Sequence, residues 1–375
     1  MRIAIVHPTF YVRGGAENVV IWLAGELLRR GHDVTVFTSE HDPGDPDVPA
    51  AVAARIVDIG AGGHFSNWLD WQRAGRILAP RLRGFDVVNP HNFPANAWVH
   101  FARQRSAAFP PVVWYCQEPS RSLYPRGAAV AAIPRSERPS AYRLATKLRR
   151  DRWRLAGKAL RKARQQLLAA LMPGRLLEKH RALDQAAAAG CDLILGNSDY
   201  MTARIRGLYG GRGETCRLGV PASTVPETAP GKERDVFLAV SRLEPLKHVD
   251  EIVRAYHRLT QREPGMAEPL VIAGAGSQET FLRGLARELG IEPRVVFAGR
   301  VSDTELADWY RRSLAVVTVS EDEAFGLVPL EAMRHGAAVI AAREGGMAET
   351  VEDGVTGLLV EPRDVGRLAE ALLAL

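Results

Sequence analysis

The sequence predicts an α/β protein made of two doubly wound halves, each built on a parallel sheet. Short apolar segments alternate with helical segments in both halves of the chain, and such alternation is typical of βαβ units. A Pro-, Thr- and Ala-rich segment at 222–234 separates the two series and is typical of a linker. We therefore predict a first domain over 1–222 and a second domain over 223–375.

The composition agrees with this class, because the 375 residues are 46% hydrophobic and 25% charged, as in ordinary globular proteins. No apolar run approaches the roughly 18 residues that span a bilayer. The opening MRIAIVHPTF is interpreted as a strand and not a signal peptide, since it lacks a long apolar core and a cleavage site. We interpret the odd set of cysteines as reduced thiols of a cytosolic protein; they are Cys116, Cys191 and Cys216.

The first series opens with a βαβ unit. A buried strand is predicted at 2–7, the glycine turn RGGAE follows at 13–17, and helical apolar spacing runs over 18–32 until Gly31 ends it. The next strand is predicted at 33–39. Because a helix joins these two strands, the order indicates a parallel sheet. Further strands that end in polar residues are predicted at 85–92, 111–119 and 191–198.

The second series repeats the pattern after the linker. Its strands are predicted at 235–243, 269–276, 294–300, 313–320, 337–342 and 357–362, with helices near 248–261, 277–289 and 302–312 and another beginning near Gly326. Ligands of doubly wound sheets bind beyond the C-terminal ends of the strands. Two such halves facing each other would form a cleft, and we expect the functional site there.

Two cations follow the first strand of the second half. Arg242 and Lys247, in the segment SRLEPLKH, lie at the C-terminal end of that strand. A guanidinium binds two phosphate oxygens at once, and an ammonium acts as a compact point charge. The pair therefore suits a diphosphate. A solvated basic loop is the alternative, and these two residues alone leave it open.

The segment SEDEAFGLVPLEAMRHG at 320–336 predicts a helix whose first turn is open to a ligand. Free N–H groups and the helix dipole near Gly326 favour an anion, and Pro329 in the first turn removes no hydrogen bond. Glu323 and Glu331 are separated by about 80° around an ideal helix, and carboxylates accept hydrogen bonds from vicinal hydroxyl groups. An anion with a hydroxyl-rich group on each side describes a nucleotide sugar. Two ordinary helix-start acids are the alternative.

Taken together, these motifs resemble the signature of glycosyltransferase family 4, retaining enzymes of the GT-B fold with two Rossmann-like domains facing each other across a cleft. The resemblance covers nearly the whole chain. It includes RGGAE near the start, NSDY at 197–200, VIAGAGS at 271–277, FAGRVSD at 297–303 and GGMAETVEDGVTGLLVEP at 345–362. The order and spacing of these motifs together are specific, although each one alone is weak.

The resemblance implies a retaining transfer of a hexosyl group from a nucleoside diphosphate sugar to a hydroxyl acceptor, in polysaccharide, glycolipid or natural-product synthesis. Arg242 and Lys247 would bind the donor diphosphate, Glu331 the ribose, and Glu323 the transferred sugar. Further donor contacts are implied for Gly14 and Gly15, for Arg300 and Val301 near the base, and for the backbone N–H groups of Ala324, Phe325, Gly326 and Leu327. The first domain would bind the acceptor.

Neither a metal nor a cofactor is expected, because the two cations and the helix end would stabilise the charge of the leaving group. The leaving phosphate would help to take the proton of the acceptor in a front-face attack. The DPD run at 45–47 lies in a proline-rich loop, which does not hold carboxylates in place for Mg²⁺.

Two features depart from the family pattern. Many relatives have a histidine where the segment WYCQEP has Gln117. Glutamine binds a sugar hydroxyl but does not titrate, so Gln117 would position the acceptor and not transfer a proton. His91 in NPHN is an alternative contact on the acceptor side, and a loop histidine without a ligand is an equally open interpretation. The chain also ends at RLAEALLAL, where relatives usually continue through a helix that crosses back, so we expect truncation or weaker closure.

A basic segment near 142–182 carries the positive charge of the protein. Residues 143–181 hold thirteen Lys or Arg and two acids, a net charge of +11, whereas the remainder carries −5 of the total of +6. A leucine stripe with Trp153 predicts an amphipathic helix, and anionic lipid would contribute about 1 kcal/mol per basic residue. We expect a cytoplasmic enzyme that binds the inner membrane surface and reaches a lipid-linked acceptor. A solvated helix covering the first domain is the alternative, and nucleic acid is disfavoured because aromatic residues are few.

Two other functions stay open at this point. One is a nucleotide-sugar epimerase of similar architecture, and the other is a non-catalytic nucleotide-sugar-binding protein, which the absence of a histidine at Gln117 allows. A dehydrogenase is disfavoured, since RGGAE lacks the G-x-G-x-x-G spacing of dinucleotide-binding turns. The sequence does not specify the base, the sugar or the acceptor.

Overall fold

The computed structural model describes residues 1–10, 14–60, 68–124, 173–221 and 234–375 as parallel sheets surrounded by helices. The strands are β1 Arg2–Val6, β2 Asp33–Thr38, β3 Ile56–Asp58, β4 Val87–Pro90, β5 Val113–Cys116, β6 Leu193–Gly196, β7 Glu214–Thr215, β8 Val236–Val240, β9 Leu270–Ala273, β10 Val295–Gly299, β11 Ser313–Thr318, β12 Ala338–Ala342 and β13 Leu358–Val360.

The helices alternate with these strands along the chain. They are α1 Gly15–Arg29, α2 Ala50–Ala53, α3 Trp68–Arg81, α4 Ala95–Arg103, α5 Pro173–Ala189, α6 Asp199–Leu208, α7 Val249–Arg262, α8 Glu279–Glu288, α9 Asp303–Arg312, α10 Leu327–Arg334, α11 Met347–Thr350 and α12 Val365–Leu373, with single 3₁₀ turns at Pro245–Lys247 and Glu292–Arg294.

The chain divides into two compact units. The first comprises Met1–Val12, Leu27–His41 and Arg55–Ile194, and the second comprises Arg13–Glu26, Asp42–Ala54 and Leu195–Leu375. Most of α1, up to Glu26, and the segment that contains α2 are therefore counted with the second unit. The domain boundary that the sequence analysis places after residue 222 stays a prediction.

The first unit is built on a parallel sheet in the order β3-β2-β1-β4, and isolated parallel bridges join β4 to β5. Its core includes Ile5, Val36, Trp98 and Trp114, each fully buried. The chain adds β2 on one side of β1 and β4 on the other. The C-terminal ends of β1 and β4 therefore flank a topological switch point, where parallel sheets bind their ligands.

The second unit contains a six-stranded parallel sheet in the order β10-β9-β8-β11-β12-β13. Its strands are nearly continuous runs of Val, Ile, Leu and Ala, which is typical of parallel strands covered by helices on both faces. Leu238, Ile272, Val316 and Val339 lie at the centre of this core. The predicted α/β class with parallel sheets is confirmed, and β8 and β11 flank the switch point of this sheet.

Helices of the first unit were largely missed by the sequence analysis. No element was predicted at α3 or α4, although α3 has a regular buried face that includes Trp71, Ala74 and Leu78. Helix α4 is buried on nearly all sides and so has no polar face. These two helices pack closely because Gly75 has no side chain. A Cβ at this position would lie only 2.5 Å from the Cβ of Phe101. The predicted helix over 18–32 begins earlier, at Gly15, whereas the helix predicted near Gly326 begins directly after that residue.

The predicted basic segment lies mostly outside the described residues, since residues 142–172 are not among them. In the part that α5 covers, Lys179 Nζ lies 3.7 Å from the ring centroid of Trp68, and Arg181 donates to the carbonyl of Leu123 at 2.7 Å. These two basic residues thus pack on the first unit. None of the described helices has the length and hydrophobicity that crossing a bilayer requires.

Candidate active site

The central feature of the site is a loop at 321–326 in the second unit, which connects β11 to α10 and is called the donor loop below. Asp322 and Gly326 both have left-handed backbone conformations, with φ of 56° and 95°. The backbone N–H groups of Ala324, Phe325 and Gly326 donate to no other described residue. These N–H groups precede a helix N-terminus and form a favourable environment for an anion.

Two predicted site residues meet at this loop. Lys247, in the 3₁₀ turn that follows β8, donates from Nζ to Oε2 of Glu323 at 2.6 Å. Their side chains are 22% and 28% exposed, so both remain accessible. An ion pair this exposed contributes little to stability. Its position instead places one cation and one carboxylate at the donor loop.

The other predicted cations lie after neighbouring strands of the same sheet. Arg242 follows β8 and is exposed, and its guanidinium contacts no acidic group in the described part of the chain. Arg300 follows β10 and is also exposed, whereas Val301 is half-buried against the core of the second unit. Both arginines therefore stand at C-terminal strand ends, where ligands of parallel sheets bind.

The predicted glycine turn lies close to the start of α10. A Cβ on Gly15 would be 3.1 Å from Cδ1 of Leu327, whereas one on Gly14 would meet only its own neighbour Glu17. Both contacts lie within the second unit, as Gly14 and Gly15 are counted with it. The turn and the donor loop, which the sequence analysis assigned to one donor site, are thus brought together.

Glu331 is held by a residue that the sequence analysis did not name. The hydroxyl group of Tyr310 on α9 donates to Oε2 of Glu331 at 2.7 Å, and Tyr310 is only 2% exposed. Burial raises the pKa of Glu331 above its ordinary value, and the hydrogen bond from Tyr310 opposes that rise. The only sequence signal for Tyr310 is its place on the apolar face of the predicted helix 302–312.

Glycines bring the loops of the site close together. A Cβ on Gly274 would lie 1.8 Å from the carbonyl oxygen of Ser241, and one on Gly276 would lie 2.3 Å from that of Leu243. The loop that carries Arg242 therefore packs directly on the VIAGAGS glycines. In the same way, a Cβ on Gly346 would lie 2.4 Å from Cα of Phe325 in the donor loop.

The NSDY motif fixes the donor loop from another side, still within the second unit. Ser198, the N-cap of α6, donates from Oγ to the carbonyl of Ala324 at 2.6 Å, and the hydroxyl of Tyr200 donates to the carboxylate of Asp322. The carboxylate of Glu349 accepts the N–H groups of the first two residues of α6 at 2.8 and 2.6 Å. In the sequence, this motif contributes only to the resemblance to a family, and no local pattern marks it as a support of the loop.

The acceptor-side candidates lie in the first unit, at the switch point between β1 and β4. His91 is fully buried, and its ring lies 2.8 Å from Asn89 through Nε2 and 3.4 Å from Gln117 through Nδ1. Since the amide nitrogen of Gln117 can only donate, Nδ1 accepts and Nε2–H donates to the Asn89 oxygen. The structure therefore joins His91 and Gln117 in one buried polar chain.

The imidazole of His91 is neutral. Burial and the neighbouring His7 lower its pKa from 6.5 to about 3. The unfolded chain therefore takes up a proton at His91 before the folded protein does. This linkage leaves stability intact above pH 6.5 and removes about 1.4 kcal/mol per pH unit as the pH falls from there to about 3.

We expect His91→Asn to flatten the loss of stability between neutral and acidic pH, because asparagine takes up no proton in either state. Chemical denaturation at a series of pH values measures the slope. His32→Asn, in the turn after α1, is the matched control and should leave it unchanged. A slope in His91→Asn equal to that of the wild type would contradict the assignment of a buried neutral imidazole.

The DPD run is a local turn structure. The Asp42 carboxylate accepts from the N–H of Gly44 at 2.9 Å, and that of Asp45 accepts from the N–H of Asp47 at 3.0 Å. Among the described residues, no cluster of three or more His, Cys, Asp or Glu could hold a metal ion. The predicted independence from metals stays a prediction.

Two family models match the chain: Glycosyltransferase Family 4 over residues 13–220, and Glycosyl transferases group 1 over residues 224–375. A D-inositol 3-phosphate glycosyltransferase of Nocardia farcinica (strain IFM 10152) is 32% identical over 386 residues, which covers 96% of this chain and 77% of that relative. The chain spans about half the length of the first curated relatives that it matches, which are D-inositol 3-phosphate glycosyltransferases too.

Solved structures show the same fold. Sucrose-phosphate synthase from Thermosynechococcus elongatus matches with a TM-score of 0.71 and 20% identity, over 100% of this chain and 89% of that one. Anabaena HepE in complex with UDP-glucose matches with a TM-score of 0.67 and 18% identity, over 99% and 89% of the two chains. The GT-B class with two Rossmann-like domains is thereby confirmed. With both its halves matched in sequence and in fold, this chain belongs to glycosyltransferase family 4.

Proposed function

We propose that the protein is a retaining, metal-independent glycosyltransferase that moves a hexosyl group from a nucleoside diphosphate sugar to a hydroxyl acceptor. The observation that carries this proposal is the donor loop, where unpaired backbone N–H groups accompany the pair of Lys247 and Glu323. Backbone N–H groups, a cation and a carboxylate that meet at the start of one helix suit a sugar diphosphate. Family membership supports transfer as the reaction.

In this mechanism, the cations and backbone amides of the donor site stabilise the charge that develops on the leaving diphosphate. Arg242 and Lys247 contact its oxygens, together with the N–H groups of the donor loop. Glu331 accepts hydrogen bonds from the ribose, and Glu323 accepts from the transferred sugar. Arg300 and Val301 lie beside the base.

The proton of the acceptor is assigned to the leaving phosphate. The two polar candidates of the first unit do not accept it readily, because Gln117 does not titrate and His91 has a pKa of about 3. We therefore propose that Gln117 orients the acceptor hydroxyl and that His91 holds Gln117 in place. Bond breaking at the sugar then places negative charge on a phosphate oxygen, which takes the proton on the same face.

The identity of the donor is tested by measuring the thermal shift of the protein with a panel of UDP-, GDP- and dTDP-sugars. UDP-glucose is tested first because HepE was solved with it. A donor present at 100 times its Kd should stabilise the protein by about 2.7 kcal/mol. Mass spectrometry of the products with sugar and polyol acceptors separates a transferase, which forms a glycoside, from an epimerase and from a binding protein. Full activity in the presence of EDTA is expected. No stabilisation by any donor would overturn the proposal.

We further propose that the basic segment near 142–182 binds an anionic membrane surface and brings the enzyme to a lipid-linked acceptor on the cytoplasmic face. Its charge of +11 supports this proposal, together with the leucine stripe of its sequence.

Flotation should therefore recover the protein with phosphatidylglycerol vesicles and not with phosphatidylcholine vesicles. Salt at about 0.5 M should release it, because the attraction is screened. Equal recovery with both kinds of vesicle would reject an electrostatic membrane site. Replacing the basic residues of 143–164 by glutamine is the matched variant.

A further inference from the structure

The two carboxylate oxygens of Glu331 have different environments. Oε2 accepts the hydroxyl hydrogen of Tyr310 at 2.7 Å. Oε1 makes no hydrogen bond to another described residue, and it is not among the buried atoms that lack a partner. Solvent therefore reaches Oε1, although the residue as a whole is half-buried. One oxygen is fixed from inside the protein and the other can bind a ligand.

Tyr310 is held firmly enough to orient this carboxylate. Its ring stacks on that of His335, with centroids 5.7 Å apart and an angle of 11° between the planes. Its helix, α9, begins at a capping box in which Ser302 and Glu305 bond each other's backbone. Because the ring is 2% exposed, its hydroxyl cannot turn out to water.

We propose that Tyr310 is a positioning residue of the donor site: its hydroxyl group holds Oε2 of Glu331 and leaves Oε1 to accept hydrogen bonds from the ribose of a nucleoside diphosphate. This inference rests on the proposed function and deepens it. Tyr310 does not touch the donor itself. It determines how well the site distinguishes a ribonucleotide from a deoxyribonucleotide.

The same hydrogen bond controls the charge of Glu331. Burial raises the pKa of this carboxyl group, the bond from Tyr310 lowers it, Asp303 at the start of α9 raises it and Arg334 on α10 lowers it. His335, which stacks on Tyr310, has a pKa lowered by burial and by nearby arginines. A protonated Glu331 loses acceptor capacity. Ribose recognition is therefore present above the pKa of Glu331 and is lost as the pH falls through it.

The test is calorimetry of Tyr310→Phe with two pairs of ligands, UDP with 2′-deoxy-UDP and GDP with 2′-deoxy-GDP. One of the two pairs is expected to bind the wild type. In that pair, the ribonucleotide should bind roughly tenfold more tightly than the deoxynucleotide. Tyr310→Phe should lower the affinity for the ribonucleotide by roughly 5- to 20-fold and leave the affinity for the deoxynucleotide nearly unchanged. The midpoint at which ribose discrimination disappears should also move to higher pH.

Tyr256→Phe is the matched control. Tyr256 is fully buried in the same unit, and its hydroxyl donates to the carbonyl of Glu268 at 2.7 Å. This variant loses a hydrogen bond of the same length without contacting Glu331. It should lower the melting temperature and leave ribose discrimination and its pH midpoint unchanged. In a Glu331→Gln background, Tyr310→Phe should have no further effect on discrimination.

An equal loss of affinity for both members of a pair, or an unmoved pH midpoint, would overturn the role of Tyr310. If diphosphates bind the wild type without ribose discrimination, this inference falls while the proposed function stands. If none of them binds, both fall. Should Tyr310→Phe fail to fold, 3,5-difluorotyrosine at position 310 replaces it. Its more acidic hydroxyl donates a stronger bond and should move the midpoint to lower pH, and an unmoved midpoint would again overturn the proposal.

Discussion

Gly274→Ala is expected to destabilise the second unit by roughly 3–5 kcal/mol, the sum of a strained backbone and an overpacked contact. Gly274 has φ of 139°, and its new Cβ would lie 1.8 Å from the carbonyl oxygen of Ser241. The neighbour is backbone and not a flexible side chain, so the whole loop must move. Because that loop carries Arg242, binding of a nucleoside diphosphate should weaken as well. Chemical denaturation and calorimetry measure the two effects.

Gly284→Ala is the matched control for this change. Gly284 lies in α8, and a Cβ there would meet nothing within 4 Å. Alanine in an exposed helix position should stabilise the unit by about 0.5–1 kcal/mol. The two substitutions add the same methyl group and should act in opposite directions. Similar stabilities for both variants would contradict the close packing of the loop on Gly274.

Lys247→Ala should weaken binding of the donor diphosphate by about 1.5–3 kcal/mol, the usual range for a hydrogen bond to a charged group. The turnover number should fall further, since negative charge on the leaving group grows in the transition state. Stability should change little, because the ion pair with Glu323 is partly exposed. Calorimetry with the donor and steady-state kinetics separate the two effects.

Arg283→Ala provides the comparison for Lys247→Ala. Arg283 forms an ion pair with Glu279 at 2.9 Å on the surface of α8, in the same unit. Removing it also deletes one positive charge, but away from the donor loop. Its donor affinity should equal that of the wild type. If both variants lose affinity to the same extent, net charge and not a contact by Lys247 explains the effect.

The sequence predicted the framework of the second half well. Its strands are nearly continuous runs of Val, Ile, Leu and Ala, and its helices have clear apolar faces, so periodicity located both. The donor loop was located because Gly326 and Pro329 mark a helix start, and Glu323 lies just before it. Membership of the family was recognised from the order of motifs and not from any one of them.

The remainder depended on contacts that no local pattern encodes. Tyr310 and Glu331 are separated by 21 positions, and nothing in the spacing shows that their side chains meet. The contact between Ser198 and Ala324 joins residues 126 positions apart. Helix α4 was missed because nearly all of its residues are buried and it has no polar face, whereas the apolar periodicity of α3 is present in the sequence and was overlooked. Sequence reasoning thus found the candidate ligand-contacting groups but not the residues that hold them.

The carboxylate of Glu349 occupies two amides at the start of α6 that would otherwise face water. Those amides should retain their hydrogens in deuterium oxide for as long as the turn around α11 stays folded. The amides of Ala324, Phe325 and Gly326 have no such protection within the described structure, and they should exchange rapidly until a diphosphate covers them. Deuterium uptake along one short stretch of chain would therefore distinguish an occupied molecule from an empty one without any enzymatic assay.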